Sequence, residues 1–288
     1  MRRFPEWLER QIPVRSSRKT WEVLERHGLN TVCESALCPN RSECYSRRTA
    51  TFMILGNHCT RRCGFCAVPT GRGEEVAWDE PMRLAEAAQE LGLQYVVVTS
   101  VARDDLPDEG AGHFSRCIWA LKERIPGVGV EVLTPDFHAR RELIEQVCEA
   151  GPLVYNHNVE TVARLQSRVR PQARYERSLE VIRCVKEIFP GILTKSGLML
   201  GLGEKEEEVL DTAIDLRQAG CEILTLGQYL PPSKEHLELT EFVPPEVFRS
   251  LAEKIERLGF REVYAGPYVR SSYHAAETFH GAESAESS

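Results

Sequence analysis

Seven short, nearly continuous apolar runs punctuate this chain, at residues 51–56, 95–100, 128–134, 153–156, 193–200, 221–227 and 263–265. Amphipathic stretches of helical period separate them, for example Leu84, Ala88 and Leu91, or Tyr175, Leu179, Ile182 and Val185. Strands without polar alternation are buried on both faces, which is the condition of a parallel sheet covered by helices. About six βα units in succession therefore predict an α/β fold, a parallel (β/α) barrel, full or partial. Asp79 is the expected N-cap of the first crossover helix, with Pro81 just inside it. Gly92, Gly151, Gly220 and Gly259 each follow a helical run, where a left-handed residue closes the last turn. Residues 1–50 stand outside the rhythm as a cysteine-rich N-terminal extension, residues 51–270 form the barrel, and residues 271–288 form a C-terminal segment. Its last residues, GAESAESS, have the composition of a disordered tail.

Six of the ten cysteines fall in two triads. Cys59, Cys63 and Cys66 read C-x3-C-x2-C in CTRRCGFCAV, and Cys33, Cys38 and Cys44 read C-x4-C-x5-C in CESALCPNRSEC. Thiolates hold iron–sulfur clusters, and a [4Fe–4S] cube takes four ligands, so each triad leaves one iron open. Two plainer readings stand beside this one. Zinc closes tetrahedrally on cysteine and histidine, and His58 precedes Cys59. A disulfide framework fits less well, because the six cysteines crowd into the first quarter of a large chain with no secretory mark. The Cys59 triad follows the first barrel strand, at the end of the sheet where barrel enzymes do their chemistry, and a structural zinc knuckle has no need of that place. Cys117, Cys148, Cys184 and Cys221 lie singly within helix or strand patterns and read as small buried hydrophobes.

Composition excludes several classes. No apolar h-region follows Arg2 and Arg3, and no run approaches a membrane span of ~20 residues, so the expected setting is the cytoplasm, with no membrane partner. Residues 1–72 carry 13 Lys and Arg against 6 Asp and Glu, while the remainder carries 23 against 37. Arg41, Arg47, Arg48, Arg61, Arg62 and Arg72 surround the triads. Such a patch suits a small acidic protein or the neutralisation of cluster and substrate charge, and a merely solvated face is equally consistent. The acidic remainder would repel nucleic acid, and no nucleic-acid partner is expected.

C-x3-C-x-Φ-C behind the first strand of a βα barrel, with Phe65 as the aromatic, resembles the signature of the radical S-adenosylmethionine (SAM) superfamily. Within it, the chain resembles the lipoyl synthases. The matching segments are TVCESALCPNRSEC, TATFMILGNHCTRRCGFCAV, VVVTSVARDDLPDEGAGHF, EVLTPDF, NHNVET, KSGLMLGLGE and GPYVRSSYHA, spanning residues 31 to 275. Asn57 departs from the acidic residue expected before the CT motif, and no ligand changes.

The resemblance implies two [4Fe–4S] clusters and SAM. Cys59, Cys63 and Cys66 would hold the cluster that splits SAM to a 5′-deoxyadenosyl radical. Cys33, Cys38 and Cys44 would hold a second, auxiliary cluster, consumed as the sulfur donor, with Ser272 of the RSSY motif as fourth ligand and Ser271 as the alternative. A serine alkoxide beside soft thiolates is a replaceable ligand, suited to an iron that must be shed. The implied reaction inserts sulfur at C6 and C8 of an octanoyl chain carried on a lysine. Those carbons are unactivated, so cofactor radical chemistry is needed. Thr99, Ser100, Glu131, Asn156 and Arg170 stand at strand ends as candidate SAM contacts; His157 reads as a satisfied polar residue. Implied partners are octanoylated carrier domains (the glycine-cleavage H protein or a dehydrogenase acyltransferase subunit), an electron donor and an iron–sulfur cluster carrier. Related sulfur insertases differ: biotin synthase-like enzymes lack C-x4-C-x5-C, and tRNA methylthiolases add an RNA-binding module.

Overall fold

A computed structural model describes residues 4–9, 18–46 and 50–272. Arg47, Arg48, Tyr273 and the tail lie outside the described residues. The N-terminal part carries helix α1 (Arg18–Arg26), strand β1 (Asn30–Thr31), and helices α2 (Val32–Ser35) and α3 (Arg41–Ser46). The barrel then runs β2 (Thr51–Ile54), α4 (Glu80–Leu91), β3 (Tyr95–Ser100), α5 (Ala111–Arg124), β4 (Gly129–Leu133), α6 (Arg141–Glu149) and β5 (Val154–Asn156). It continues through α7 (Gln166–Val169), α8 (Tyr175–Ile188), β6 (Leu193–Leu200), α9 (Glu206–Gln218), β7 (Ile223–Gln228), α10 (Pro245–Glu256) and β8 (Glu262–Gly266).

The sheet order follows the chain from β1 to β8. β1 pairs antiparallel to β2, and every later neighbour is parallel. The seven apolar runs are β2 to β8, with bounds within two residues of the expected ones. Six βα crossovers join them, as the rhythm of the sequence predicts. Among the described residues no ladder joins β8 back to β1, so the barrel is partial and has a seam there. β1 was not expected; two residues are too short to carry a period.

Outward-facing strand residues pack under the helices, and the core divides accordingly. One cluster joins Phe52, Val96, Val98, Val130 and Val132 to α4, α5 and α6. Another joins Leu198, Leu200, Leu224 and Leu226 to α9 and α10. Inside the sheet, Tyr95, Val97, Val154, Leu193 and Ile223 form an apolar floor toward the N-terminal ends of the strands. Gly92, Gly151, Gly220 and Gly259 all adopt positive φ after their helices. Asp79 precedes α4, but its carboxylate bonds Arg83 Nε at 2.9 Å and makes no cap hydrogen bond. An arginine one turn on outcompetes a backbone amide for an exposed carboxylate.

Candidate cluster sites at the barrel mouth

Strand β2 ends in two left-handed residues, Leu55 (φ +69°) and Gly56 (φ +92°). At φ +92° a side chain at Gly56 would be strained, so the tight turn that launches the cysteine loop needs glycine. The loop is fastened on every side. Cys59 N donates to Pro69 O (2.9 Å), Gly71 N to Cys59 O (3.0 Å), and Gly64 N to Val169 O (2.9 Å). Cys59 Sγ accepts from Arg61 N at 3.4 Å and Ala102 N at 3.3 Å, donors that hold one sulfur in place. Cys59, Cys63 and Cys66 line one cavity of about 240 Å³ together with Arg62, Glu235 and His236. Phe65, half-buried, packs against the second core cluster, as does Leu237.

Arg61 does not belong to an exposed basic face. Its side chain is 5 % exposed, and the guanidinium clamps Asp104 Oδ1 and Asp136 Oδ1, each at 2.7 Å. Asp136 is completely buried and also meets Arg177 at 3.2 Å. Burial opposes charge on Asp136, yet Arg61 holds its carboxyl well below the usual range. Arg41, Arg62 and Arg72 are exposed.

The other triad lies across the seam. Thr31 caps α2 by accepting from Glu34 N (3.3 Å), which sets Cys33 on the first turn, and α3 carries Cys44. Cys33, Cys38 and Cys44 line a narrow pocket of about 20 Å³ with Asn40, Ala50, Thr51, Arg270 and Ser272. Ser272 Oγ accepts from Thr51 Oγ1 at 2.8 Å. Ser271 turns away and accepts from Asn158 Nδ2 at 2.9 Å. Asn40 Nδ2 donates to Tyr268 O at 2.7 Å, tying the pocket rim to the C-terminal segment.

None of the ten cysteines is in a disulfide. Burial pushes the thiol of Cys33 up to about 11, with the Thr51 backbone pulling the other way. It pushes Cys63 up to about 11 against the Arg170 charge, and Cys66 up to about 12 against the Val68 backbone. Such thiols are neutral near pH 7 and become thiolates only as a metal displaces their protons. The two sets of cysteines, each lining one pocket, fit iron–sulfur ligation, and the Ser272 hydroxyl lines the second pocket beside its cysteines. His58 does not line the cavity of the Cys59 triad; its Nδ1 pairs with Glu74 Oε1 at 3.0 Å. Cys117, Cys148, Cys184 and Cys221 are buried, as a hydrophobic role requires.

The candidate SAM contacts divide. Ser100 Oγ and Asn156 Oδ1 are buried with no partner among the described residues, as acceptors awaiting a ligand would be. Thr99 Oγ1 is spent on Leu133 O at 2.8 Å. Arg170 Nη1 serves Asn158 O (2.9 Å), Val159 O (3.2 Å) and Ser178 Oγ (3.2 Å), although its charge also reaches Cys63. Glu131 belongs to a buried network: Lys195 Nζ at 3.0 and 3.2 Å, Tyr95 OH at 2.8 Å and Asn156 Nδ2 at 3.0 Å. Both its oxygens are thereby taken, which removes the reason to assign it to SAM. His157 is satisfied by Thr134 O (2.9 Å) and Ser178 Oγ (3.1 Å).

Sequence reasoning passed over His236 and Glu235. His236 Nε2 donates to Cys66 O at 3.1 Å while its Nδ1 accepts from Ser233 Oγ at 2.8 Å. Leu237 N donates to Gly64 O at 3.0 Å, so this stretch after β7 forms the outer wall of the Cys59 cavity. The only signal was a polar run, SKEH, behind a strand end.

A cysteine loop at the C-terminal end of the first strand of a partial parallel barrel defines a radical SAM protein. The sequence pattern of the Radical SAM superfamily matches residues 53–216. Solved structures agree in fold: methylornithine synthase has a TM-score of 0.55 at 14 % identity, over 74 % of this chain and 70 % of that one. The FeFe-hydrogenase maturase HydG from Carboxydothermus hydrogenoformans has a TM-score of 0.55 at 14 % identity, over 80 % and 65 %. Within the superfamily, the chain belongs to the lipoyl synthase family. It is 56 % identical to the lipoyl synthase of Caldanaerobacter subterraneus subsp. tengcongensis over 273 residues, 95 % of this chain and 96 % of that protein. It is 54 % identical to that of Rhodopirellula baltica, over 96 % of this chain and 88 % of that protein. No helix among the described residues is long and apolar enough to cross a membrane.

Proposed function

We propose that this protein inserts two sulfur atoms into a protein-bound octanoyl-lysine, at C6 and C8, to form the lipoyl group. The observation that carries the reading is the convergence of Ser272 with Cys33, Cys38 and Cys44 on one pocket, beside a separate cavity lined by Cys59, Cys63 and Cys66. A protein with a single cluster has no use for the first pocket. Cys59, Cys63 and Cys66 would hold the SAM-binding [4Fe–4S] cluster, and Cys33, Cys38, Cys44 and Ser272 an auxiliary one. The chemistry these groups supply when bound is a radical able to take hydrogen from unactivated carbon, and sulfur for the vacated positions.

The chain's own residues supply placement. Arg61 holds the loop between Cys59 and Cys63 to Asp104 and Asp136, while His236 secures its far end at Cys66 O. Ser100, at the end of β3, and Asn156, at the end of β5, offer unpaired polar atoms toward SAM. The Thr51 hydroxyl donates to Ser272 Oγ and so favours the alkoxide over the alcohol at that position. Octanoylated carrier domains of an H protein or an acyltransferase subunit would bring the substrate; an electron donor and a cluster carrier would serve the two sites. A cytoplasmic setting would keep ten unpaired cysteines reduced.

Anaerobic reconstitution with SAM, a reductant and an octanoyl-lysine peptide tests this. About eight irons per chain, as two [4Fe–4S] clusters require, with 5′-deoxyadenosine and doubly thiolated peptide, is the expected result. Deoxyadenosine without thiolated peptide would point to another substrate, and zinc with intact SAM would overturn the enzyme reading.

A further inference from the structure

Two adjacent serines in the C-terminal segment face different sites. Ser272 Oγ meets Thr51 in the auxiliary pocket, and Ser271 Oγ meets Asn158 beyond the end of β5. A slip of one residue would exchange them and withdraw Ser272 from the cysteines. Something must therefore fix the register of this segment, and its route explains how. It runs hard against β7, where a Cβ on Gly227 would lie 2.1 Å from Val269 O. It is tied at Tyr268 O by Asn40 on one side. On the other side its side-chain anchor is Asn158.

Asn158 is built as a fixed post. It is 7 % exposed, and the two hydrogens of its Nδ2 go to Ser271 Oγ at 2.9 Å and Glu160 Oε1 at 3.0 Å. Its main-chain carbonyl accepts from Arg170 Nη1 at 2.9 Å, and Arg170 in turn acts electrostatically on the Cys63 thiol. Glu160, held at φ +66°, is locked to β6 through Gly197 O (2.9 Å) and Met199 N (2.9 Å). The post is thus anchored beside one cysteine triad and grips the segment that serves the other.

We propose that Asn158 and Ser271 form a latch, a pair of positioning residues that holds the C-terminal segment in the register presenting Ser272 to Cys33, Cys38 and Cys44. The proposal rests on the reading of Ser272 as the fourth ligand of the auxiliary cluster. Ser271 is then a register-setting residue whose hydroxyl acts through the backbone on its neighbour.

The test uses the full-length chain with Cys59, Cys63 and Cys66 all replaced by Ala, reconstituted so that iron occupies one site. Iron release to a ferrous chelator and the electron paramagnetic resonance spectrum of the reduced cluster are followed, with circular dichroism to verify folding. Ser271→Ala and Asn158→Ala should each release iron about tenfold faster, as loss of one positioning hydrogen bond implies. The double variant should be no faster than either single one, and Ser271→Thr, which keeps the hydroxyl, should restore the parent rate and spectrum. Parent-like rates in both single variants, with Ser272→Ala fast, would overturn the latch while leaving Ser272 a ligand. A Ser272→Ala rate and spectrum equal to the parent's would instead remove the ligand, and the latch with it.

Discussion

Replacing Arg61 by Met removes a buried cation while keeping most of its apolar volume. Two carboxylates lose a partner at 2.7 Å, and they differ in what remains. The Asp104 side chain is 26 % exposed and can be solvated. Asp136 is wholly buried and, among the described residues, keeps Arg177 at 3.2 Å as its ion-pair partner. Breaking a buried pair costs about 3–5 kcal/mol, and the surviving Arg177 contact places the expected loss at the lower end, about 3 kcal/mol. For a chain of this size, about 2 °C of melting temperature per kcal/mol gives a fall of about 6 °C in the metal-free protein. The assay is thermal unfolding followed by circular dichroism, with iron content after reconstitution as a second readout. Most of the cost is an uncompensated charge, so Asp136→Asn introduced into the Arg61→Met protein should recover more than half of it. A loss below about 1 kcal/mol, or no recovery in the double variant, would refute the view that this pair anchors the cysteine loop.

The two triads should separate functionally: Cys63→Ala is expected to abolish 5′-deoxyadenosine formation, whereas Cys38→Ala should leave it measurable while stopping sulfur insertion. Equal loss of deoxyadenosine in both would count against the division. Burial lowers His157 to about 4, whereas an unfolded histidine titrates near 6.5. The unfolded state therefore gains protons first, and stability, complete above pH 6.5, should fall by about 3 kcal/mol as pH drops toward 4. His157→Gln should flatten urea midpoints across that window, and an unchanged slope would show that another group titrates. His236→Ala should loosen the wall of the Cys59 cavity, weakening SAM binding by about fivefold in calorimetry, as loss of one ordinary hydrogen bond implies.

Much of this architecture was legible because it repeats. Buried parallel strands need uninterrupted apolar runs, and helices that cover them need one apolar face, so β2 to β8 and the glycines after their helices could be read directly. The position of the Cys59 triad behind β2 was legible for the same reason. The proposed auxiliary site was legible only through resemblance, since nothing local in RSSY distinguishes a ligand from a polar turn. The proposed choice of Ser272 over Ser271 rests on Asn158 and Thr51, residues 113 and 221 positions away, and no spacing rule reaches that far. Charge was misleading where burial was invisible. Arg61 looked like surface, and Glu131 looked available, until Asp136 and Lys195 appeared opposite them. Histidine and glutamate in SKEH carry no periodicity, because a loop is positioned by what it touches.

The pocket shared by Cys33, Cys38, Cys44 and Ser272 also imposes an order of assembly. Its cysteines precede the barrel in the chain, together with Asn40, Ala50 and Thr51, whereas Arg270 and Ser272 follow it. During synthesis those thiols must wait for more than two hundred residues, and for strands β2 to β8, before the Ser272 hydroxyl arrives. The Cys59 cavity depends on chain only as far as His236. The later triad in sequence is therefore the earlier site to be complete, and any cluster delivered to a nascent or truncated chain would meet an auxiliary pocket open on one side.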